Sequence, residues 1–214
     1  MGTEVRRAVL FGSMPCGDGA FLRPYLADGA WAVFCADGGL KNAHGAGLRP
    51  DYLIGDWDSG GAPELDIPCT TLPVEKDMTD LQAAADQALG LGFRELLLCG
   101  CTGGRLDHTA SNLVLLEWIA DRGGRAMIVD ADNEVRLLEA GTLFLANHPR
   151  YHYLSLIPLD RHVTGVTLRG VKYPLTDTTL TRGDTLSVSN EPRLPESEIT
   201  IGSGRALLIR SQRE

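Results

Sequence analysis

A chain of 214 residues, 43% of them hydrophobic, is long enough to bury one large core or two small ones. Its 28 acidic and 20 basic side chains leave a formal charge of −8, which argues against non-specific binding to nucleic acid or to an anionic membrane surface. An anionic substrate stays open, because a divalent cation can invert the local field. No apolar stretch approaches membrane-spanning length, and the charges at Glu4, Arg6 and Arg7 lead straight into a strand-like run, so no signal peptide is expected. The five cysteines (Cys16, Cys35, Cys69, Cys99 and Cys101) form neither an even disulfide framework nor a paired zinc motif, and a reducing cytoplasmic setting fits them.

Arg6 to Gly12 reads as a first buried strand, Ala20 to Ala27 as a short helix, and Trp31 to Ala36 as a second strand ending at Asp37-Gly-Gly39. A helical turn over Asn42 to Gly47 and a short strand at Tyr52 to Ile54 follow. Gly60 to Pro63 is a loop, and Ile67 to Leu72 a strand that Pro68 places towards an edge. A helix from Asp80 to Leu89 is closed by Gly90 and Gly92. Leu96 to Cys99 is the next strand. A glycine turn then opens a helix over Leu106 to Asp121, with an expected apolar stripe of Leu106, Ala110, Leu113, Leu116 and Ala120, and Arg125 to Val129 is a last strand. Such alternation predicts an α/β domain over residues 1–131: a three-layer, open, mostly parallel sheet with helices on both faces.

The pattern changes near Asp132. Short runs at Glu134 to Leu138, Thr142 to Ala146, Tyr153 to Pro158, Val163 to Leu168, Thr185 to Ser189, Ile199 to Ile201 and Ala206 to Ile209 are separated by turn signals. They predict a C-terminal all-β sandwich or jelly-roll-like domain over residues 132–214.

Polar residues gather where the strands of the first domain end, which is where open parallel sheets bind ligands. Asp56 and Asp58 are two apart, so in extended chain both carboxylates leave one face. Asp77 and Asp80 stand three apart at a helix start. Carboxylates so gathered repel unless a cation sits among them, and oxygen donors near phosphate suit Mg²⁺. The competing job for Asp77 or Asp80 is a helix N-cap, which Thr79 could take instead. Arg105 follows two glycines at a helix start, an arrangement suited to polyphosphate, although a lone arginine is more often a surface ion pair. His108 can bond a phosphate or satisfy a loop carbonyl. Cys99 and Cys101 flank a glycine and read as small packed residues rather than a catalytic thiol. No Walker A, dinucleotide fingerprint, nucleophile elbow or H-E-x-x-H is present. These residues alone point to metal-assisted chemistry on a phosphate compound.

Taken in order, Ala36-Asp-Gly-Gly39, Pro50-Asp51 with Gly55-Asp-Trp-Asp-Ser59, Lys76-Asp-Met-Thr-Asp80, Gly103-Gly-Arg-Leu-Asp-His108 with Asn112, Lys172-Tyr-Pro-Leu175 and Ser189-Asn-Glu191 resemble the motifs of the thiamine pyrophosphokinases along essentially the whole chain. The resemblance implies an α/β domain followed by a β-sandwich. It also implies transfer of the β,γ-pyrophosphoryl group of ATP to the hydroxyl of thiamine, giving thiamine diphosphate and AMP. By the same resemblance Asp56, Asp58 and Asp80 are the Mg²⁺ and catalytic carboxylates, with Arg105 and Asp107 completing the catalytic set. Asp37, Gly38, Asp56, Ser59, Lys76, Asp77, Gly104, Arg105 and His108 surround ATP, while Asp107, Ser189 and Asn190 meet thiamine.

A cytoplasmic homodimer is implied, with the active site shared between subunits and Ser189 and Asn190 supplied by the partner. That pair ends a β run before Glu191-Pro192 and is expected to be displayed at a sheet edge. Trp57 stands where a Phe is common, Gln82 where bacterial members often carry Glu, and Arg205 to Ile209 lacks the aromatic residue of the animal enzymes. Two other classes fit parts of the pattern: a metal-dependent nucleotide phosphohydrolase, and a non-catalytic nucleotide- or thiamine-binding regulator.

Overall fold

In the computed structural model, which describes residues 5–56, 65–73, 75 and 77–213, the chain divides into two units, Met1–Ala131 and Asp132–Glu214. The described strands of the first unit are β1 (Arg6–Phe11), β2 (Trp31–Ala36), β3 (Tyr52–Gly55), β4 (Cys69–Thr71), β5 (Phe93–Cys99) and β6 (Arg125–Val129). All pair in parallel, in the order β4-β3-β2-β1-β5-β6. The near-continuous apolar sequences of β1, β2, β3 and β5 suit strands covered on both faces, whereas the edge strand β4, only Cys69–Thr71 of the expected Ile67 to Leu72, is polar and largely exposed. Val9, Phe11, Val33, Cys35, Leu53, Leu97 and Cys99 share one core with Leu22 of a 3-10 turn (Ala20–Leu22) that leads into the short α1 (Arg23–Leu26), and with Ala43 of α2 (Gly39–Gly45). Alternation sends Leu10, Phe34, Ile54 and Leu98 to the opposite face, where they are also fully buried. Helix α3 (Asp80–Gly90) lies against β1, β2, β3 and β5, and its buried Ala84, Ala85 and Ala88 let it approach closely.

The chain steps outward from β1 to β4, then returns to place β5 on the other side of β1. Strand order therefore reverses between β1 and β5, which opens a crevice at the carboxyl ends of those two strands. Between α3 and β5 the turn is tight, and β5 begins at Phe93, three residues before the expected run.

Helix α4 (Leu106–Ala120) has the expected span, but not the expected stripe. Its buried residues are Asn112, Leu115, Leu116 and Ile119, whereas Leu106 is 79% exposed and Ala110 is also exposed. Of the expected stripe Leu116 is buried and Leu113 and Ala120 are half-buried, so the buried face is rotated toward Asn112, Leu115 and Ile119, and the polar Asn112 sits in it where an apolar pattern gives no sign of it.

Every described strand pairing of the second unit is antiparallel. One sheet runs β7 (Asn133–Leu138), β13 (Ala206–Ser211), β9 (Tyr153–Pro158), and the other β11 (Leu175–Thr181), β10 (His162–Arg169), β12 (Glu196–Ile201), β8 (Gly141–Ala146). Leu154, Leu156 and Leu208 from the first meet Val163, Leu168, Leu180 and Ile199 from the second in one core, the face-to-face packing of a sandwich.

Two expectations fail here. Leu175–Thr181 is a strand absent from the expected runs: Pro174 precedes it, and Asp177 at φ 46 interrupts its alternation. Thr185 to Ser189, expected as a strand, is a turn in which Val188 N–H bonds Thr185 O at 3.1 Å. There Ser187 takes the inward position, because its buried hydroxyl donates to Leu156 O at 2.7 Å, while Leu186 and Val188 face outward.

Candidate active site

The crevice between β1 and β5 is closed at its base by the backbone. Gly12 N–H donates to Cys99 O at 2.8 Å and Met14 N–H to Gly100 O at 2.9 Å. Gly100 has φ +64, and a Cβ there would lie 2.6 Å from Gly12 O and 2.8 Å from Met14 O. Only glycine lets these strand ends meet. Gly39 is constrained likewise, since a Cβ on it would fall 2.0 Å from Phe11 O, so α2 starts directly on the end of β1. The result is a cavity of about 190 Å³ lined by Gly12, Ser13, Met14, Ala36, Asp37, Thr79, Asp80, Leu81, Gly100, Cys101, Gly103, Arg105, His108 and Asn112.

Four of the proposed side chains (Asp37, Asp80, Arg105 and His108) thus meet in one cavity. Asp37 follows β2 with φ 47, a left-handed conformation uncommon for a residue with a side chain, and its N–H donates to Ile54 O at 2.8 Å. Thr79 is the N-cap of α3, its hydroxyl accepting from Gln82 N–H at 3.3 Å. Asp80 is therefore the first helical residue rather than the cap.

Arg105 caps α4 without a side-chain capping bond, and its guanidinium pairs with Asp107 at 2.6 and 3.1 Å. Both side chains are largely exposed, 74% and 64%. That contact holds the Asp107 carboxyl below the usual aspartate range and raises Arg105 further. Asp107 also accepts from His108 N–H at 2.9 Å, in the first helical turn, where negative charge favours the dipole. Behind them the loop is pinned by Asn112 Nδ2 to Cys101 O at 2.8 Å, Thr109 Oγ1 to Gly103 O at 3.1 Å and Thr102 Oγ1 to Asp130 Oδ2 at 2.7 Å.

Other proposed residues stand apart from the cavity lining. Asp56 follows the end of β3, Asp77 is exposed ahead of α3, Gly38 is the N-cap of α2, and Gly104 lies under Met14 Sδ. Asp58, Ser59 and Lys76 lie outside the described residues. Among the described residues no three His, Cys, Asp or Glu side chains come close enough together to hold a metal ion. Cys99 and Cys101 are buried, and burial is the main cause that pushes both thiols up, consistent with packing rather than nucleophilic use.

The strand-end Gly12-Ser13-Met14 segment and the buried Asn42 behind it were missed by the sequence reading. Gly12 after a buried strand was the available signal, but no charged residue marks it.

In the second unit the two C-terminal motifs come together. Lys172 N–H donates to Glu191 O at 2.8 Å, and the side chains of Lys172 and Glu191 pair at 2.6 Å. Ser189 is exposed, with φ 58, and its N–H donates to Ser155 Oγ at 2.9 Å. Asn190 departs from the expectation of display: it is 3% exposed. Its Oδ1 accepts from Tyr173 N–H at 3.0 Å and Glu191 N–H at 2.9 Å, and its Nδ2 donates to Tyr173 O at 2.8 Å. Burial follows from those bonds, which occupy the amide in tying Tyr173 to the 189–191 turn.

A parallel sheet with an acidic and cationic cavity at its switch point, followed by an antiparallel sandwich, defines a two-domain α/β enzyme. Comparison with known proteins narrows that class. Residues 24–128 match the family model "Thiamin pyrophosphokinase, catalytic domain", and residues 142–208 match "Thiamin pyrophosphokinase, vitamin B1 binding domain". The chain is 31% identical to the thiamine pyrophosphokinase of Bacillus subtilis, over 82% of this chain and 85% of that protein. The crystal structure of a thiamine pyrophosphokinase from Bacillus subtilis superimposes with a TM-score of 0.84 at 27% identity, covering 98% of this chain and all of that one. The thiamin pyrophosphokinase structure from Geobacillus thermodenitrificans gives 0.82 at 34% identity, covering 99% of each. The chain belongs to the thiamine pyrophosphokinase family.

Proposed function

We propose that the chain is a thiamine diphosphokinase, moving the pyrophosphoryl group of ATP to the hydroxyethyl oxygen of thiamine and releasing AMP. The observation that carries this reading, beside the family, is one cavity lined by both signs: Asp37 and Asp80 with Arg105 and the start of α4. Carboxylates repel a polyphosphate that arrives alone and welcome one that arrives with a cation. Asp56, Asp58 and Asp80 would hold Mg²⁺, and their oxygen-only chemistry fits that ion. When bound, it would neutralise phosphate oxygens and lower the cost of in-line attack.

The chain's own groups do the rest. Arg105 can present a guanidinium fork to the transferred group, at the cost of sharing or leaving Asp107. Asp37, Gly38, Ser59, Lys76, Asp77, Gly104 and His108 complete the nucleotide side. Thiamine carries a cationic ring, which suits an acidic site, with Asp107 and the exposed Ser189 as its contacts and Asn190 fixing the turn that holds Ser189. A carboxylate of the first unit takes the hydroxyl proton.

We further propose a homodimer whose sites are completed by the partner subunit's Ser189, on the turn that the buried Asn190 fixes; the expected direct contact of Asn190 with thiamine gives way to this positioning role. The domain roles follow: residues 1–131 bind ATP and Mg²⁺ and carry catalysis, and residues 132–214 bind thiamine and dimerise. No described helix is long and apolar enough to cross a membrane. Five free cysteines support a cytoplasmic setting.

The test is mass detection of products from ATP, Mg²⁺ and thiamine. Thiamine diphosphate and AMP in equal amounts are expected. AMP and pyrophosphate formed without any need for thiamine would favour the phosphohydrolase instead.

A further inference from the structure

Asn42 was not among the residues expected to serve the site, yet its buried amide makes three long-range bonds to one loop. Nδ2 donates to Gly12 O and to Met14 O, each at 2.7 Å, and Oδ1 accepts from Cys16 N–H at 3.1 Å. On the opposite side the N–H groups of Gly12 and Met14 are taken by Cys99 O and Gly100 O. Residues 12 and 14 are therefore stapled through both backbone groups, one side to Asn42 and the other to the β5 turn. Ser13 lies between the staples. It is exposed, it lines the cavity with Asp80 and Arg105, and its Cβ lies near Gly38 at the start of α2.

We infer that Ser13 is a further nucleotide-binding residue, donating to a phosphate oxygen of ATP, and that Asn42 is the positioning residue that presents it. A hydroxyl lining the same cavity as Arg105 is chemically suited to an anionic oxygen. A loop held at alternate residues loses little freedom when the ligand arrives, which is how pre-organisation raises affinity. Thiamine has no comparable claim on Ser13, because the neighbouring groups are those of the phosphate side. This inference rests on the ATP reading above.

The experiment compares native protein, Ser13→Ala, Asn42→Ala and the double variant. It measures affinity for a non-hydrolysable ATP analogue with Mg²⁺ by calorimetry, together with KM for ATP and for thiamine. Ser13→Ala should weaken the analogue and raise KM for ATP about 10-fold, from loss of a charge-assisted hydrogen bond. KM for thiamine should stay unchanged. Asn42→Ala should do at least as much, and the double variant should be no worse than Asn42→Ala alone, since both act through one contact.

Asn42→Asp gives a reading that a purely structural role would not move, and it serves if Asn42→Ala does not fold. Its acid form can still donate to Gly12 O or Met14 O and its carboxylate cannot. Its analogue affinity relative to native should therefore fall as pH rises. Native protein that binds no analogue and makes no thiamine diphosphate would overturn the ATP reading and this inference with it. Native binding with Ser13→Ala unchanged, or fully additive losses in the double variant, would overturn the inference alone.

Discussion

Asp80 sits one residue past the Thr79 that caps α3, and this separates two jobs that the sequence left entangled. If Asp80 were a cap, Asn would replace it almost without loss. As a carboxylate facing a pyrophosphoryl group, it has no neutral substitute. Asp80→Asn should keep its melting temperature and lose at least about 100-fold in kcat, because transition-state charge depends on the bound cation. A folded Asp80→Asn enzyme with near-native turnover would return the residue to a structural role. Asn190 presents the opposite case. Its Oδ1 accepts from Tyr173 and Glu191 N–H and its Nδ2 donates to Tyr173 O, so Asn190→Ala should lower stability by about 1–3 kcal/mol through unpaired backbone groups. Denaturant unfolding followed by tryptophan fluorescence and far-UV circular dichroism reads this directly, and an unchanged midpoint would contradict it.

At the scale of elements, β7 and β13 carry a buried ion pair. Glu134, with its side chain wholly buried, meets Arg210 at 2.6 Å and the half-buried Arg136 at 2.7 Å, while Arg210 also donates to Ala146 O on β8. Burial alone would raise the Glu134 carboxyl, but the two guanidinium groups outweigh it and hold it below its ordinary value of 4.5. A depressed carboxylate contributes stability above that ordinary value and loses it as pH falls through the lower folded value. Glu134→Gln should therefore cost about 3–5 kcal/mol at pH 7, by leaving Arg210 buried without its counter-charge. It should also flatten the acid limb of the stability curve below pH 4.5. Urea unfolding across pH 3–7 checks both, and a variant that keeps the native acid limb would show that another group sets it.

Elements differ in how well the sequence announced them, for physical reasons. The strands of the first unit other than β4 are mostly apolar and have a glycine close to at least one end, so length and composition revealed them; β2 and β6 were placed to the residue. β11 was hidden because half its side chains face solvent and Asp177 breaks the alternation. Thr185 to Ser189 alternates as a strand does, yet Val188 N–H bonds Thr185 O to make a turn, and the Ser187 hydroxyl bonds Leu156 O where a strand would place an apolar side chain. In the site, charged residues at strand ends were legible. The loop over Gly12 to Cys16 was not, because it works through backbone groups and one remote amide.

At the scale of the whole molecule, the two units carry separate halves of the proposed reaction, and self-association would bring them into one assembly. Sedimentation equilibrium should give twice the 23.1 kDa chain mass; a monomer at micromolar concentration would remove the shared-site proposal and leave the first-unit chemistry standing. In the proposed reaction two phosphoryl groups move together. ATP labelled with ³²P at the β-phosphate, incubated with Mg²⁺, thiamine and the enzyme, tests it most directly. The label should appear in thiamine diphosphate, with unlabelled AMP in equal amount. Label retained in ADP beside thiamine monophosphate would contradict the account.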